Sequence, residues 1–437
     1  MSHTASLTLS IGATELAIAR RRAILSCAIG NFFELFDFTI YGFFAVAISR
    51  AFFPAGDPVL AMASTFATFG VAFVMRPVGA IVLGAYGDRA GRRAALVVTI
   101  GLMATATGVT GLIPTYASIG IWAPTLLLLC RMVQGFSTGG EWGGAATFLV
   151  EYSPNGKRGI TGSWQQFSTQ IGSLAGSTSA TVLATGLSET AFYSWGWRLP
   201  FLFGFLLGPI GYYLRRKVAE TPVFADTVEQ CKVERAPLRV AIRDYGDRMI
   251  QAFGLSIIGC IAGFVFTVYL VSYAINTMKL PAGVALSCAM VSGVIVVTLT
   301  PFFGALSDRI GRRPLILACA ILNLLFDYPL FLLAIHGRSH GSLLMALAAN
   351  AVFQSMYTGT IPSILAEMFP TRVRYTALSV SYGFAVMLFG GFAPLISTWL
   401  VKVTGNPYSP AFYVMAGGAL SATAILSMKE YRNAPLD

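Results

Sequence analysis

The sequence predicts an all-α membrane protein with twelve transmembrane helices in two six-helix halves. Three observations predict it. Of 437 residues, 55% are hydrophobic and 11% charged, where a soluble domain carries about 25% charged residues, and the mean hydropathy is +0.69. Apolar runs long enough to cross a bilayer follow one another along the whole chain. Finally, the stretch Gly84-Ala-Tyr-Gly-Asp-Arg-Ala-Gly-Arg-Arg93 returns 220 residues later as Gly304-Ala-Leu-Ser-Asp-Arg-Ile-Gly-Arg-Arg313, with seven of ten positions identical. A repeat at this distance divides the chain into two similar halves.

The spans read as 24–48, 60–84, 94–113, 121–150, 160–185, 198–215, 250–276, 284–306, 314–335, 342–366, 375–401 and 410–428. One long polar segment separates six from six. The chain therefore divides into an N-terminal tail (1–23), a first half (24–215), a linker (216–248), a second half (249–428) and a C-terminal tail (429–437). Alternate assignment of the connections places 23 Lys and Arg on one side. It leaves five on the other: Arg50, Arg198, Lys279, Arg338 and Lys402. The basic side is cytoplasmic, which puts both ends, the linker and the two repeated loops in the cytoplasm. Arg20, Arg21 and Arg22 before the first span read as an uncleaved start rather than a signal peptide. The net charge of +11 is thereby explained by topology, without a nucleic-acid partner. The six cysteines (Cys27, Cys130, Cys231, Cys260, Cys288 and Cys319) form no CxxC pair. They imply small packing residues, with neither a metal site nor disulfides. No nucleophile–base constellation or phosphate loop is present, so an enzyme is not expected, and neither is a cofactor.

The repeated loops contribute Gly84, Asp88, Arg89, Gly91, Arg92 and Arg93 in the first half, and Asp308, Arg309, Gly311, Arg312 and Arg313 in the second. Charge alone would fix topology, but it would not place an Asp and two Gly at the same offsets. The glycines suit a sharp turn, and the Asp suits a cap on the next helix combined with an Arg pair. A second repeat supports the division. Glu151 and Glu367 end the fourth and tenth spans, and Arg158 and Arg374 follow at the same offset of 216. These read either as a salt-bridge latch between neighbouring helices or as surface charge at helix ends.

Ionisable groups in mid-span are costly and mark function. In the first span, Glu34, Asp37 and Tyr41 share one helical face. A carboxylate there can load a proton on one side and release it on the other, or it can be fixed in a helix–helix ion pair. Arg76, before Pro77 in the second span, and Arg131 in the fourth are the cations within reach. Either anchors a substrate carboxylate, or pairs with Glu34, Asp37 or Glu141. On the fourth span Arg131 shares a face with Thr138, and Gln134 with Glu141. Gln166 and Gln170, one turn apart in the fifth span, suit hydrogen bonds to substrate oxygens or to a neighbouring helix. Gln354 and Tyr357 are the second-half counterparts, with Asn276, Thr358 and Tyr382 as further cavity candidates. Asp327 reads as structural, and His336 and His340 as solvated loop residues.

Two six-helix halves, a basic linker and paired Gly-Asp-Arg-Gly-Arg-Arg loops resemble the major facilitator superfamily. Several phrases look more narrowly like its metabolite–proton symporter family: Gly30-Asn31…Glu34…Asp37…Tyr41-Gly42, Arg76-Pro77-Val-Gly79, Gln134 to Glu141, Glu151-Tyr-Ser-Pro…Arg158-Gly159 and Trp195-Gly-Trp197-Arg198-Leu-Pro200. The resemblance implies uptake, together with protons, of organic acids such as citrate, 2-oxoglutarate and shikimate, or of zwitterions such as proline and betaine. The stretches Arg76–Tyr86 and Gly390–Gly405 are similar to citrate and tricarballylate symporters. Gly139–Gly144 and Ala366–Pro370 depart from them toward the 2-oxoglutarate and proline/betaine members.

The expectation is a monomeric proton symporter of the inner membrane, embedded in the lipid bilayer, that imports a small organic acid, citrate-like first. Asp37, Glu34 and Glu141 would couple the proton. Arg131, Arg76, Tyr41, Gln134, Gln166, Gln170, Gln354 and Tyr357 would bind substrate, and the loops with Glu151, Arg158, Glu367 and Arg374 would gate it. Rival readings are an importer of proline or betaine, of another organic acid, an efflux pump, or a membrane sensor that does not transport.

Overall fold

Helix follows helix in the computed structural model, which describes residues 13–53, 58–230, 232–432 and 436. The first half consists of α1 (Ala13–Phe43, resumed past Phe44 as Ala45–Phe52), α2 (Pro58–Ala90), α3 (Arg92–Leu112), α4 (Trp122–Glu151), α5 (Arg158–Gly186) and α6 (Arg198–Lys217). A short linker helix, Pro222–Glu229, follows. The second half consists of α7 (Pro237–Phe264), α8 (Ala282–Ile310), α9 (Arg312–Gly337), α10 (His340–Glu367), α11 (Arg374–Ala385) and α12 (Ser409–Ser427). Wider π-helical turns, Val265–Leu270 and Val386–Gly391, carry α7 and α11 onward to Asn276 and Thr404. Such turns loosen the ladder locally and often sit at functional positions. Cys231 lies outside the described residues, and the other five cysteines are buried.

Eight helices among the described residues are long and apolar enough to cross a membrane by composition. The other four spans are α4, α5, α6 and α10. In α4 and α10 the polar residues that lower the apolar average face protein instead of lipid. Every α4 residue from Ser137 to Glu151 is buried, as is every α10 residue from Tyr357 to Glu367. Packing repeats between halves: α2 on α4 matches α8 on α10, α1 on α5 matches α7 on α11, and α3 on α6 matches α9 on α12. The halves meet where α5 packs on α8 and α10, and α11 on α2 and α4. Close approach of α2 and α4 requires small residues. A Cβ at Gly135 or Gly139 would collide with the backbone carbonyls of Ala72 or Arg76.

The repeated loops close one end of the molecule. Gly91 and Gly311 take φ of 104° and 106°, in the region that suits glycine, and turn the chain into α3 and α9. Asp88 does not cap the next helix, as its sequence position suggests. Its carboxylate accepts the backbone N–H groups of Tyr375 (3.2 Å) and Thr376 (2.8 Å) at the start of α11, in the other half. Asp308 does the same in reverse, accepting from Gly159 (2.8 Å) and Ile160 (2.9 Å) at the start of α5. Helix N-termini favour such anions. The next helix is served by a different acid in each half. Glu220 in the linker accepts from the N–H of Arg93 (3.1 Å), and Glu430 accepts from Arg312 (3.2 Å) and Arg313 (2.9 Å).

The paired Glu–Arg repeats also exchange partners. Glu151 pairs with Arg374 of the second half at 2.6 Å and with Arg92 at 3.4 Å. Glu367 pairs with Arg312 at 3.2 Å and with Arg158 of the first half at 3.6 Å. These groups are buried, so the reading as exposed surface charge is excluded. Of the loop arginines, Arg92 and Arg312 enter the network, each also bonding its own loop Asp at 2.8 Å. Arg89 and Arg309 are exposed at the surface.

Candidate substrate and proton site

The first helix supplies the acids, as its spacing requires. Asp37 lies 3.2 Å from the Arg131 guanidinium, and both side chains are wholly buried. Its other oxygen accepts hydrogen bonds from Thr107 (2.7 Å) and Gln134 (2.8 Å). Arg131 also rests over the Tyr41 ring, 4.1 Å from its centroid. The Tyr41 hydroxyl donates to the carbonyl of Thr65 at 3.1 Å. One turn each of α1 and α4 thus builds one charged cluster, with Thr107 of α3 closing it.

Glu34, one turn away, lies 3.5 Å from Arg76. The Arg76 guanidinium sits 4.9 Å from the ring centroids of both Phe38 and Phe73, where cation–π attraction adds to the ion pair. Glu141 pairs with neither Arg76 nor Arg131. It bonds Arg215 at the far end of α6 and accepts from Thr99 at 2.5 Å. All three mid-span acids of the first half are therefore matched by a guanidinium within that half.

Two small cavities adjoin these pairs. The first, about 10 Å³, is lined by Glu34, Ser137, Thr138 and Glu141 among others, and so lies between two of the acids. The second, also about 10 Å³, is lined by Arg76, Thr138, Trp142, Ser379 and Tyr382 among others, and lies between the halves. Each has room for one water.

The expected second-half site residues are placed differently. Gln354 donates to the carbonyl of Gly259 (3.0 Å) and Tyr357 to that of Ser256 (3.3 Å), which ties α10 to α7. Thr358 bonds Thr300 at 2.7 Å. Asn276 is exposed and bonds its own helix at 3.0 Å. In the first half, Gln165, not Gln166, reaches α4, donating to the Trp142 carbonyl at 2.7 Å. Gln166 is buried and Gln170 half-buried on the same helix. Tyr382 does reach the centre, with its ring stacked on Trp142 at 3.6 Å. His336 bonds Tyr408 at 3.0 Å.

Sequence reasoning missed Arg215, Thr107 and Glu220. Arg215 opens the run Arg215-Arg216-Lys217, which reads as a basic linker edge. Only its burial at 1% exposure separates it from its neighbours. Thr107 is an unremarkable threonine in an apolar span until Asp37 is placed beside it.

Buried charges enclosed by two pseudo-equivalent helical halves define a membrane transporter and not an enzyme. Residues 23–242 match the family model for sugar (and other) transporters, and residues 255–436 match that for the Major Facilitator Superfamily. The chain belongs to the major facilitator superfamily. It is 38% identical over 427 residues to the glycine betaine/proline/ectoine/pipecolic acid transporter of Dickeya dadantii, covering 95% of this chain and 84% of that one. It is 37% identical over 396 residues to the citrate–proton symporter of Klebsiella pneumoniae, covering 91% and 89%. Among solved structures it superposes on a proton:xylose symporter bound to 6-bromo-6-deoxy-D-glucose with a TM-score of 0.79. The identity is 18%, over 96% of this chain and 98% of that one.

Proposed function

We propose that the protein is a proton-coupled importer of a small zwitterionic solute of the proline/betaine kind. It works as a monomer by alternating access in the inner membrane, with its termini and repeated loops in the cytoplasm. The division at the linker, 216–248, separates two halves that rock about the central site. The observation that carries this reading is charge balance. Arg76 faces Glu34 at 3.5 Å and Arg131 faces Asp37 at 3.2 Å, so no buried cation at the centre stands bare. A tricarboxylate would bring uncompensated charge into a dry site, at a cost of several kcal/mol per ion. A zwitterion brings none. The name of the Dickeya relative agrees.

Asp37, supported by Glu34, carries the proton in this reading. Its ion pair with Arg131 and its hydrogen bonds from Thr107 and Gln134 hold it in one geometry, and protonation releases the arginine. Glu141, already matched by Arg215, stands behind the first cavity as the next carboxylate on that path. The inter-half network of Asp88, Asp308, Glu151 and Glu367 keeps the cytoplasmic end shut until the halves rock.

A second reading is a citrate-like substrate. Protonation of both Glu34 and Asp37 would leave two guanidinium groups for carboxylates, and the Klebsiella relative carries that name. Uptake into proteoliposomes separates the two. Labelled proline or glycine betaine should accumulate only with an inward proton gradient and resist competition by citrate. Gradient-driven citrate uptake with no zwitterion uptake would replace the first reading by the second.

A further inference from the structure

The second cavity carries more information than its size suggests. Arg76 Nε, Thr138 Oγ1, Trp142 Nε1 and Ser379 Oγ are all buried and have no hydrogen-bond partner. All four belong to residues that line this one cavity. A buried donor left unbonded costs about 1–3 kcal/mol, so four around one small space mark a place for a ligand. The guanidinium and the indole only donate, and the two hydroxyls can donate. A set of this kind suits an anion with several lone pairs, such as a carboxylate.

Two aromatic rings, Trp142 and Tyr382, complete the lining with Val386 and three glycines. The Trp142 and Tyr382 rings stack 3.6 Å apart at an interplanar angle of 10°. Trp142 belongs to α4 of the first half, and Tyr382 lies on α11 of the second. The stack therefore closes the cavity by a contact between halves, and it must part when they separate. No acid lines the cavity, and the neighbouring Glu34 and Glu141 are engaged by Arg76 and Arg215. An ammonium carrying N–H groups would find no free carboxylate here and would compete with the substrate carboxylate for the Thr138 and Ser379 hydroxyls, whereas an alkylated ammonium needs only aromatic faces.

We propose that this cavity is the substrate seat. Arg76, Thr138 and Ser379 bind the carboxylate of a small zwitterion, and Trp142 and Tyr382 hold its alkylated ammonium on their ring faces. The proposal rests on the zwitterion reading above and narrows it to alkylated ammonium compounds. The seat draws on both halves, so a ligand in it replaces the direct Trp142–Tyr382 contact with one through itself.

Isothermal titration of the purified full chain in nanodiscs tests this with wild-type protein. The ligands are glycine betaine, its carbon isostere tert-butylacetate, choline and citrate. Glycine betaine should bind at least about tenfold more tightly than tert-butylacetate, which lacks the cation, and than choline, which lacks the carboxylate. Trp142→Leu should weaken glycine betaine by about tenfold and leave tert-butylacetate within about twofold. Trp142→Phe should restore most of the loss. Equal affinities of the wild-type protein for betaine and its isostere would overturn the seat alone, if betaine is still taken up. Binding of citrate without any binding of betaine would overturn the substrate class and the seat together.

Discussion

The two halves share a fold but not a chemistry. At the closed end they are near copies: Asp88 and Asp308 each cap a helix of the opposite half, and Glu151 and Glu367 each pair with an arginine of the opposite half. In the membrane interior they diverge. The first half holds three buried ion pairs, Glu34–Arg76, Asp37–Arg131 and Glu141–Arg215. The second half holds none at that depth among the described residues. Its amide and hydroxyl groups bond backbone or one another, and its one mid-span acid, Asp327, is buried with no hydrogen bond or ion pair. Under the proposed function, a gate between two bodies would need both faces and so both copies of its residues, whereas a proton site would need one set of acids, which one half can supply.

The largest test of this asymmetry is neutralisation of matched acids. Asp37→Asn should reduce accumulation in proteoliposomes to simple equilibration while substrate exchange persists. Asp327→Asn should leave accumulation intact. Loss of binding with coupling preserved in Asp37→Asn, or loss of coupling in Asp327→Asn, would break the division of labour.

Next in size is the Asp37–Arg131 pair. Arg131→Ala strands a buried carboxylate and should cost about 3–5 kcal/mol of stability, read by thermal unfolding in detergent. Arg131→Ala combined with Asp37→Asn should recover most of it. A double variant no better than the single one would show that Arg131 acts through packing on Tyr41 instead.

The duplicated gate predicts equal, smaller effects. Glu151→Gln and Glu367→Gln should each weaken closure by about 1–3 kcal/mol, read as labelling of an introduced cysteine at the loop-bearing end. A large difference between the two would show that the copies are not equivalent.

The smallest effect belongs to Glu220. Glu220→Ala removes the carboxylate at the start of α3 and should cost about 1 kcal/mol. Burial pushes the Glu220 carboxyl above the usual carboxylate range, against the pull of the Thr221 and Arg93 N–H groups. The folded state therefore holds this proton more tightly than the unfolded chain. Its contribution to stability should fall as pH rises from the ordinary carboxylate range through the raised value. Glu220→Gln should flatten that slope in unfolding measured against pH.

Whatever depends on neighbours along the chain is legible in the residues themselves. Apolar runs gave the spans, the repeated loop gave the two halves, and three- and four-residue spacing put Glu34, Asp37 and Tyr41 on one face. The sequence even placed Arg76 and Arg131 as the cations those acids would meet. The partners emerge from packing. Asp88 caps a helix 287 residues away rather than the next one, Glu151 reaches Arg374 across the interface, and Arg215 turns inward to Glu141 although it begins a basic run. Gln354 and Tyr357, polar and mid-span, are committed to α7, while Trp142 and Ser379 come together from different halves. The physical reason is that helix formation and membrane insertion are set by local composition and period. Which buried donor meets which acceptor is set by how the twelve helices pack, and by how closely the two halves approach.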